Sequence, residues 1–366
     1  MKKRSKNDRQ TAGFTLIELL IVSLIMLVII GIALSIYAKG NKTAADQQQY
    51  TRLQQDARAA MYYLARDIRM AGTSLPSNFL ANALEGADNE SQGGTVQPDR
   101  LKIMGNIEVP FSLTIQSASG SGTHINLDDN SLEQYPYPDS YYVGRIVLLL
   151  PKPDSTCQGG AIREITQVIH NTGGTNEGFD FSPGQARGIN PPGGLRDVCS
   201  DAEYQGGAII FGDVHEFWLD VTGNAPGLTA GQNGYIGGGM GSVLYLTNNN
   251  IHYPLAQNIE NIQFQYNGNF DGDSAWALDG FADWNSAWTP TQVASIRQIR
   301  IWVLGRTEDR FVSISALPSR DTYLYRRPAI ANSPAAVTDD WHKRFLMDST
   351  SNIRNMSLDV YNRVQR

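Results

Sequence analysis

An unbroken apolar segment near the start dominates the hydropathy pattern of the chain. Residues 14–38 are almost entirely apolar, and as a helix they would extend about 37 Å at 1.5 Å per residue. This length exceeds the roughly 30 Å of a bilayer hydrocarbon core. Residues 1–13 carry five basic residues and one acidic residue, and a basic flank of this kind stays in the cytoplasm. The pattern predicts one transmembrane helix, with everything after Lys39 outside the cytoplasm.

The helical pattern continues beyond the apolar segment, but it becomes one-sided. Through residues 39–72, apolar positions recur every three or four residues, which is the period of a helix with one apolar face. These positions are Tyr50, Leu53, Ala57, Met61, Leu64 and Ile68. Gly72 and Pro76 then supply a stop signal. The two segments are predicted to form one spine helix of about 87 Å from residue 14 to residue 71.

From residue 73 onwards, short apolar runs separated by Gly, Asn, Asp, Ser and Pro replace the helical period. Such runs predict β-strands. The clearest candidates are residues 111–115, 145–150, 208–211, 217–221, 262–266 and 299–303. Residues 171–194 and 222–241 are rich in Gly, Asn and Pro and are predicted to be long surface loops, within a loop-rich insertion at about 120–241. The expected fold is α+β, with the long helix packed on an antiparallel, β-rich head formed by residues 73–366.

Composition and charge narrow the possible functions. The chain has 366 residues, of which 41% are hydrophobic and 18% charged, as in an ordinary globular protein able to bury a core. The net charge is −6, and because residues 1–13 carry +4, the remainder carries −10. Nucleic acid is therefore not expected as a partner, since phosphate contacts need clustered basic side chains. No nucleophile elbow, P-loop, H-E-x-x-H or dinucleotide-binding motif occurs, so no enzymatic activity is expected.

Two simpler explanations of the N-terminus fit less well. A secretory signal peptide has an apolar core of about 7 to 15 residues and a small-x-small cleavage site, whereas this apolar segment is longer and lacks a good site. A plain membrane anchor has no use for Glu18 near the start of the segment. On insertion scales a carboxylate at mid-membrane costs about 2.5 to 3.5 kcal/mol, so Glu18 needs a partner.

Residues 13–19, GFTLIEL, resemble the class III signal of type IV prepilins and type II secretion pseudopilins. The resemblance implies that a prepilin peptidase cleaves between Gly13 and Phe14 on the cytoplasmic side and that Phe14 becomes the N-methylated first residue. It also implies that Glu18 pairs with the terminal amine of a neighbouring subunit in a filament core. A buried charge that is paired in this way specifies register between helices.

Parts of the head resemble the PilW family of minor pilins, which is related to the J pseudopilin of type II secretion. The similar segments are residues 62–72, 259–266, 296–307 and 353–355. The resemblance implies a type IV pilin-like fold and a low-abundance subunit of the tip or initiation complex that primes pilus assembly. Implied partners are the prepilin peptidase, other minor pilins, the major pilin, the inner-membrane assembly platform and inner-membrane lipid. A J-like pseudopilin and a tip adhesin are the alternatives.

The same resemblance implies the route of the protein through the bacterial envelope. The subunit is expected first in the inner membrane as a single-pass protein, with a cytoplasmic N-terminus and a periplasmic head. It is then expected in a pilus at the cell surface.

The two cysteines, Cys157 and Cys199, lie 42 positions apart within the predicted insertion. Outside the cytoplasm they can be oxidised, and a disulfide closing a loop of this length contributes about 4 kcal/mol on the chain-entropy model. The alternative is a pair of buried free thiols.

Several oxygen-bearing side chains follow the predicted strand that ends at Tyr266. They are Asn267, Asn269, Asp271, Asp273 and Asp279. Calcium favours such ligands, although the twelfth position of an EF-hand pattern falls on Leu278 instead of Glu. The loop is either a calcium site or a solvated acidic loop, and no other cofactor is expected. Trp276, Trp284 and Trp288 come next and form either a local core or an adhesive surface.

Overall fold

The computed structural model describes most of the chain between residues 15 and 353. The described ranges are 15–75, 77–89, 97–109, 111–119, 123–128, 131–157, 159–170, 177–182, 190–191, 194–221, 242–248, 251–272, 278–307, 325–340 and 342–353. Gly13, Phe14, Asp273 and the predicted loop at 222–241 lie outside the described residues, as do parts of the other segments discussed above.

A single helix, α1 (Leu16–Met70), runs for 55 residues, about 82 Å. It contains no proline, and its first half and second half are continuous. The helix ends where Ala71 becomes extended and Gly72 adopts a φ of 75°, a conformation that glycine takes without steric cost. The Gly72 N–H then donates to the carbonyl of Met104 at 2.9 Å, which fastens the end of the helix to the head.

In its described residues, the head contains β-strands and short helices. The strands are β1 (Leu84–Ala87), β2 (Arg100–Gly105), β3 (Ser112–Ala118), β4 (His124–Leu127), β5 (Ile146–Leu150), β6 (Ala161–Glu164), β7 (Gln167–Ile169), β8 (Gly178–Asp180), β9 (Ala208–Asp220), β10 (Val243–Asn248), β11 (Ile251–Gln257), β12 (Ile259–Asn267), β13 (Phe281–Ala282), β14 (Gln298–Arg306) and β15 (Arg344–Asn352). The short helices are α2 (Asp139–Tyr142), α3 (Asp201–Tyr204) and α4 (Pro290–Ser295). Every strand pair among the described residues is antiparallel, so the predicted α+β fold is confirmed.

A four-stranded sheet in the order β13-β12-β14-β15 packs against the second half of α1. Successive side chains of its central strands, β12 and β14, point to opposite faces of the sheet. Ile262, Phe264, Ile299 and Ile301 are fully buried on the side of the helix. The helix contributes its predicted apolar face, of which Leu53, Ala57, Met61, Leu64 and Ile68 are buried. This is the arrangement that the one-sided period of residues 39–72 predicted.

The 13-residue strand β9 links two parts of the head. Its first residues pair with β3 and β5, and its later residues pair with β2 and β10. The first core lies between α1, the four-stranded sheet, and the strands β1, β2, β10 and β11 together with the second half of β9. A second core lies among β3 to β8, α2, α3 and the first half of β9. We call residues 109–211, which supply this second core, the insertion subdomain.

The insertion subdomain corrects the prediction of a loop-rich insertion. Residues 171–194 are not one surface loop, because β8 lies within them and Phe179 and Phe181 are fully buried. The strand was missed because its three residues are too few to show a period, and its pairing with β4 and β7 is not local in sequence.

Candidate assembly segment and spine–head junction

The start of α1 is capped by its own side chains. Thr15 is the N-cap, and its hydroxyl oxygen accepts from the Glu18 N–H at 3.3 Å. A carboxylate oxygen of Glu18 accepts in return from the Thr15 N–H and hydroxyl, each at 3.0 Å. This reciprocal arrangement is a capping box, which holds the Glu18 carboxylate at the N-terminal end of the helix. The sequence signal, Thr followed three residues later by Glu, was present but was not used for the prediction.

The apolar segment, defined as residues 16–38, has no cover within the described protein. Every side chain in it is exposed, from 48% at Ile30 to 79% at Leu16 among the large apolar residues. The segment is long and apolar enough to cross a membrane. Because so much contiguous apolar surface is not stable in water, the segment must lie in lipid or against other apolar helices.

A pair of buried ionisable residues joins the spine to the head. Asp67 of α1 and His215 of β9 are both fully buried, and His215 Nδ1 lies 2.7 Å from Asp67 Oδ2. The second carboxylate oxygen of Asp67 accepts from Arg66 Nε at 2.6 Å. The contact joins one position of the helix to one position of the strand, so it fixes one register of the helix against the strand.

Three further charged residues extend this pair into the insertion subdomain, and we call all five the junction cluster: Asp67, Glu108, Arg145, Asp213 and His215. His215 Nε2 lies 3.5 Å from Glu108 Oε1, which is an ion-pair contact too long for a good hydrogen bond. Arg145 pairs with Asp213 and lies over the ring of Tyr141 at 4.2 Å. Asp213 also accepts from the N–H groups of Ile107 and Glu108.

The cluster shifts the titration of its members. Burial alone would lower the pKa of His215, but hydrogen bonding to Asp67 and contact with Glu108 outweigh burial and raise that pKa to about 9. The same contact with His215 lowers the pKa of Glu108. Burial raises the pKa of Asp213 in spite of its N–H donors and Arg145. His215 is therefore the positively charged centre of the cluster at neutral pH.

Sequence reasoning missed the junction cluster. Two signals were available. Asp67 interrupts the apolar face of the helix between Leu64 and Ile68, and Asp213 and His215 occupy inward positions of an alternating strand between Phe211 and Phe217. A charged residue at an inward position needs a partner, but the sequence does not show that the partners lie 148 residues apart.

Cys157 and Cys199 form a disulfide in the insertion subdomain, with their Cα atoms 5.8 Å apart. Cys199 is buried and belongs to the second core, while Cys157 packs at its edge. The carboxylate of Glu203 lies close to both sulfurs, but the sulfurs bond to each other and are not free thiolates. The bond ties the chain before β6 to the segment that leads into α3.

The described candidate calcium ligands lie at the end of β12 and in the segment that follows it, where three of them accept hydrogen bonds from nearby backbone N–H groups. Asn267 Oδ1 accepts from Gly280 N at 3.1 Å, Asn269 Oδ1 from Gly272 N at 2.7 Å, and Asp279 Oδ2 from Asp271 N at 3.0 Å. These bonds by themselves explain why the loop carries such residues. Asp273 lies outside the described residues, and calcium binding by this loop stays a prediction.

Two of the three tryptophans belong to the first core. Trp284 and Trp288 pack against its edge, with Tyr266 5.1 Å from Trp284 and Phe270 stacked on Trp288 at 4.2 Å between ring centroids. A Cβ added at Gly86 would lie 2.6 Å from the Trp284 ring, so the tryptophan packs closely against β1 at this glycine. Of the two interpretations, the local core fits Trp284 and Trp288, and Trp276 lies outside the described residues.

Comparison with known proteins identifies the N-terminus most directly. Residues 8–34 match the family model described as the prokaryotic N-terminal methylation motif. No curated protein matches the chain. Among solved structures, a type IV-like pilin from Thermus thermophilus is similar at 13% identity over 59% of this chain and 88% of that one, with a TM-score of 0.20. A TM-score of this size carries no argument about the fold, which rests on the helix and sheets described above.

The methylation motif and the architecture together define a class. A motif of this kind at the start of a long apolar helix, with an antiparallel β-rich head at its other end, supports a type IV pilin or pseudopilin. Proteins of this class are structural subunits and not enzymes. The motif also implies processing by prepilin peptidase and assembly with other pilins, and the apolar helix fits anchoring in a membrane.

Proposed function

We propose that the protein is a minor pilin of a type IV pilus, related to PilW, that acts in a tip or initiation complex. The observation that carries the proposal is the head itself: an insertion subdomain with its own core is joined through β9 to the part of the head that packs on the spine. Subunits that stack closely along a filament have limited room beside each spine. A head of this size is accommodated best at the end of the filament, where few copies are needed.

The proposal includes processing and assembly at the N-terminus. Cleavage after Gly13 leaves Phe14 as the methylated first residue, and the apolar segment then holds the subunit in the inner membrane until it enters a filament. Glu18, held at the helix N-terminus by the capping box, is positioned to pair with the terminal amine of a neighbour. The proposed neighbours are other minor pilins and the major pilin, reached through the inner-membrane assembly platform.

Mass spectrometry of the N-terminal peptide in two fractions of the native cell tests the proposal. We expect a peptide beginning at methylated Phe14 in filaments sheared from the surface, at a low ratio to the major pilin. The same peptide confined to washed membranes would favour a J-like pseudopilin of type II secretion. An N-terminus still at Met1 or Lys2 in both fractions would contradict the entire proposal.

A further inference from the structure

The second half of α1 separates its charges between its two sides. Between residues 51 and 70, all four basic residues are exposed: Arg52, Arg58, Arg66 and Arg69. Both acidic residues of this stretch turn towards the head. Asp67 is fully buried against His215, and Asp56 is partly buried. The exposed side of the upper spine is therefore positive, whereas the chain beyond residue 13 has a net charge of −10.

Three of the arginines form one line with an aromatic residue. At 100° per residue around the helix axis, the directions of Arg58, Tyr62, Arg66 and Arg69 all fall within about 40° of one common midline. Tyr62 is 65% exposed. We call these four residues the basic stripe. Arg66 contacts Asp67 and lies near the Tyr63 ring, while Arg58 and Arg69 form no ion pair within the described residues. The Tyr62 ring makes one edge contact, with Tyr63 of the same helix, so the stripe presents an exposed aromatic ring between the exposed charges of Arg58 and Arg69.

We infer that the basic stripe is a docking surface for an acidic face of a neighbouring filament subunit. Tyr and Arg are the residues most enriched at the energetic centres of protein interfaces, and complementary charge fixes register and excludes wrong partners. The inference rests on the proposed function, because the neighbour is a filament subunit. Beyond that function, the inference specifies the part of the spine that is contacted and the acidic chemistry of the partner's surface.

Anionic lipid is not the partner that this placement favours. Arg58 follows the end of the apolar segment by 20 residues and Arg69 by 31, which places them about 30 Å and 46 Å along the helix. Surface charges are screened within about 8 Å at physiological ionic strength. The stripe therefore lies beyond the reach of a membrane that holds the apolar segment.

A filament neighbour fits the same placement. The spine is one continuous helix, and its apolar segment is exposed along its whole length, so a subunit that buries that segment is also brought close to the upper spine. An acidic face on such a neighbour is attracted to the basic stripe. A neighbour whose head resembles this one in charge carries an excess of carboxylates.

Photo-crosslinking in the native cell tests the inference on the full chain. A Tyr62→p-benzoylphenylalanine variant places the probe within the stripe, and Val337→p-benzoylphenylalanine, at a head position that is 92% exposed, is the control site. We expect the position 62 probe to give an adduct with another pilin-like subunit, through a peptide that contains Asp or Glu. The control site is expected to give no such adduct.

Charge reversal then tests complementarity. Arg58→Glu in the position 62 variant is expected to lower the adduct yield by about tenfold or more, since it brings like charges together at the interface. Lys152→Glu, an equal change at an exposed position of the insertion subdomain, is expected to leave it unchanged. An adduct insensitive to Arg58→Glu, a nuclease-sensitive adduct or a lipid adduct would overturn the inference.

The N-terminal peptide, measured in the same cells, separates two kinds of failure. If Phe14 is methylated and the protein enters sheared filaments, but position 62 gives no subunit adduct, the docking inference fails and the proposed function stands. If the N-terminus is unprocessed, the proposed function fails, and the filament neighbour inferred here fails with it.

Discussion

His215 Nδ1 lies 2.7 Å from Asp67 Oδ2, and both side chains are fully buried although they belong to different elements of the fold. One end of this pair is in the spine and the other in the strand that links both cores of the head. Buried ion pairs are weak evidence of stability, but removing one partner leaves an uncompensated charge. The pair therefore makes the position of the head on the spine sensitive to single substitutions and to pH.

Unfolding of the full-length protein in detergent is expected to show a pH dependence that comes from His215. Its pKa is raised to about 9 in the folded protein, from about 6.5 when unfolded. The stabilisation, on the order of 3 kcal/mol, is complete below pH 6.5 and is lost as pH rises to 9. The difference in unfolding free energy between wild type and His215→Gln is expected to shrink over this range.

Two comparisons make the pH measurement specific. His170→Gln removes an exposed histidine that pairs with Asp139 at the surface, and it is expected to change stability little at any pH. Burial raises the pKa of Asp99 to about 8, so Asp99 also lowers wild-type stability as pH rises, and only the difference between the two proteins isolates the imidazole. A constant difference from pH 6 to pH 10 would contradict the assignment.

Gly305→Ala is expected to loosen the contact between the spine and β14. A Cβ at residue 305 would lie 2.3 Å from Leu53 Cδ1, and Leu53 is buried and cannot move aside freely. Overpacking of this kind costs about 1 to 3 kcal/mol, measurable by denaturant unfolding. Gly40→Ala is the matched control, since its Cβ meets nothing within 4 Å and alanine in a helix gains about 0.5 to 1 kcal/mol. Equal effects of the two changes would argue against the close contact.

Loss of the disulfide is expected to destabilise the insertion subdomain. Cys157 and Cys199 close a loop of 42 residues, so the Cys157→Ala, Cys199→Ala variant is expected to lose about 4 kcal/mol. Hydrogen exchange should locate the loss among β3 to β8, with little change in the buried face of α1. Thiol counting on the denatured wild type is expected to give no free groups without reductant, and two free groups there would contradict the bond.

The sequence predicted the parts of this structure that depend on residues close together in the chain, and it missed the parts that depend on contacts between distant residues. The spine was predictable because the period of its apolar positions is a local property of the sequence. The spacing of Leu53, Leu64 and Ile68 alone indicates the buried face. In the insertion subdomain, the candidate strands at 111–115, 145–150 and 208–211 correspond to β3, β5 and the start of β9, whereas β8 was missed, since it is three residues long and its partners are distant strands. The junction cluster shows the intermediate case. The inward positions of Asp67 and His215 could be found from the sequence, whereas their contact required the fold.

The carboxylate of Glu18 completes the capping box in the structure, and substitution can separate this role from its proposed role in assembly. Glu18→Gln removes the charge, and glutamine can still complete a capping box, whereas Thr15→Ala removes the cap and keeps the charge. If Glu18 pairs with the terminal amine of a neighbour, Glu18→Gln is expected to lower the ratio of filament to membrane protein by about tenfold. Thr15→Ala is expected to lower it far less. Quantitative mass spectrometry of both fractions measures the ratio, and normal incorporation of Glu18→Gln would show that the buried charge is not needed for assembly.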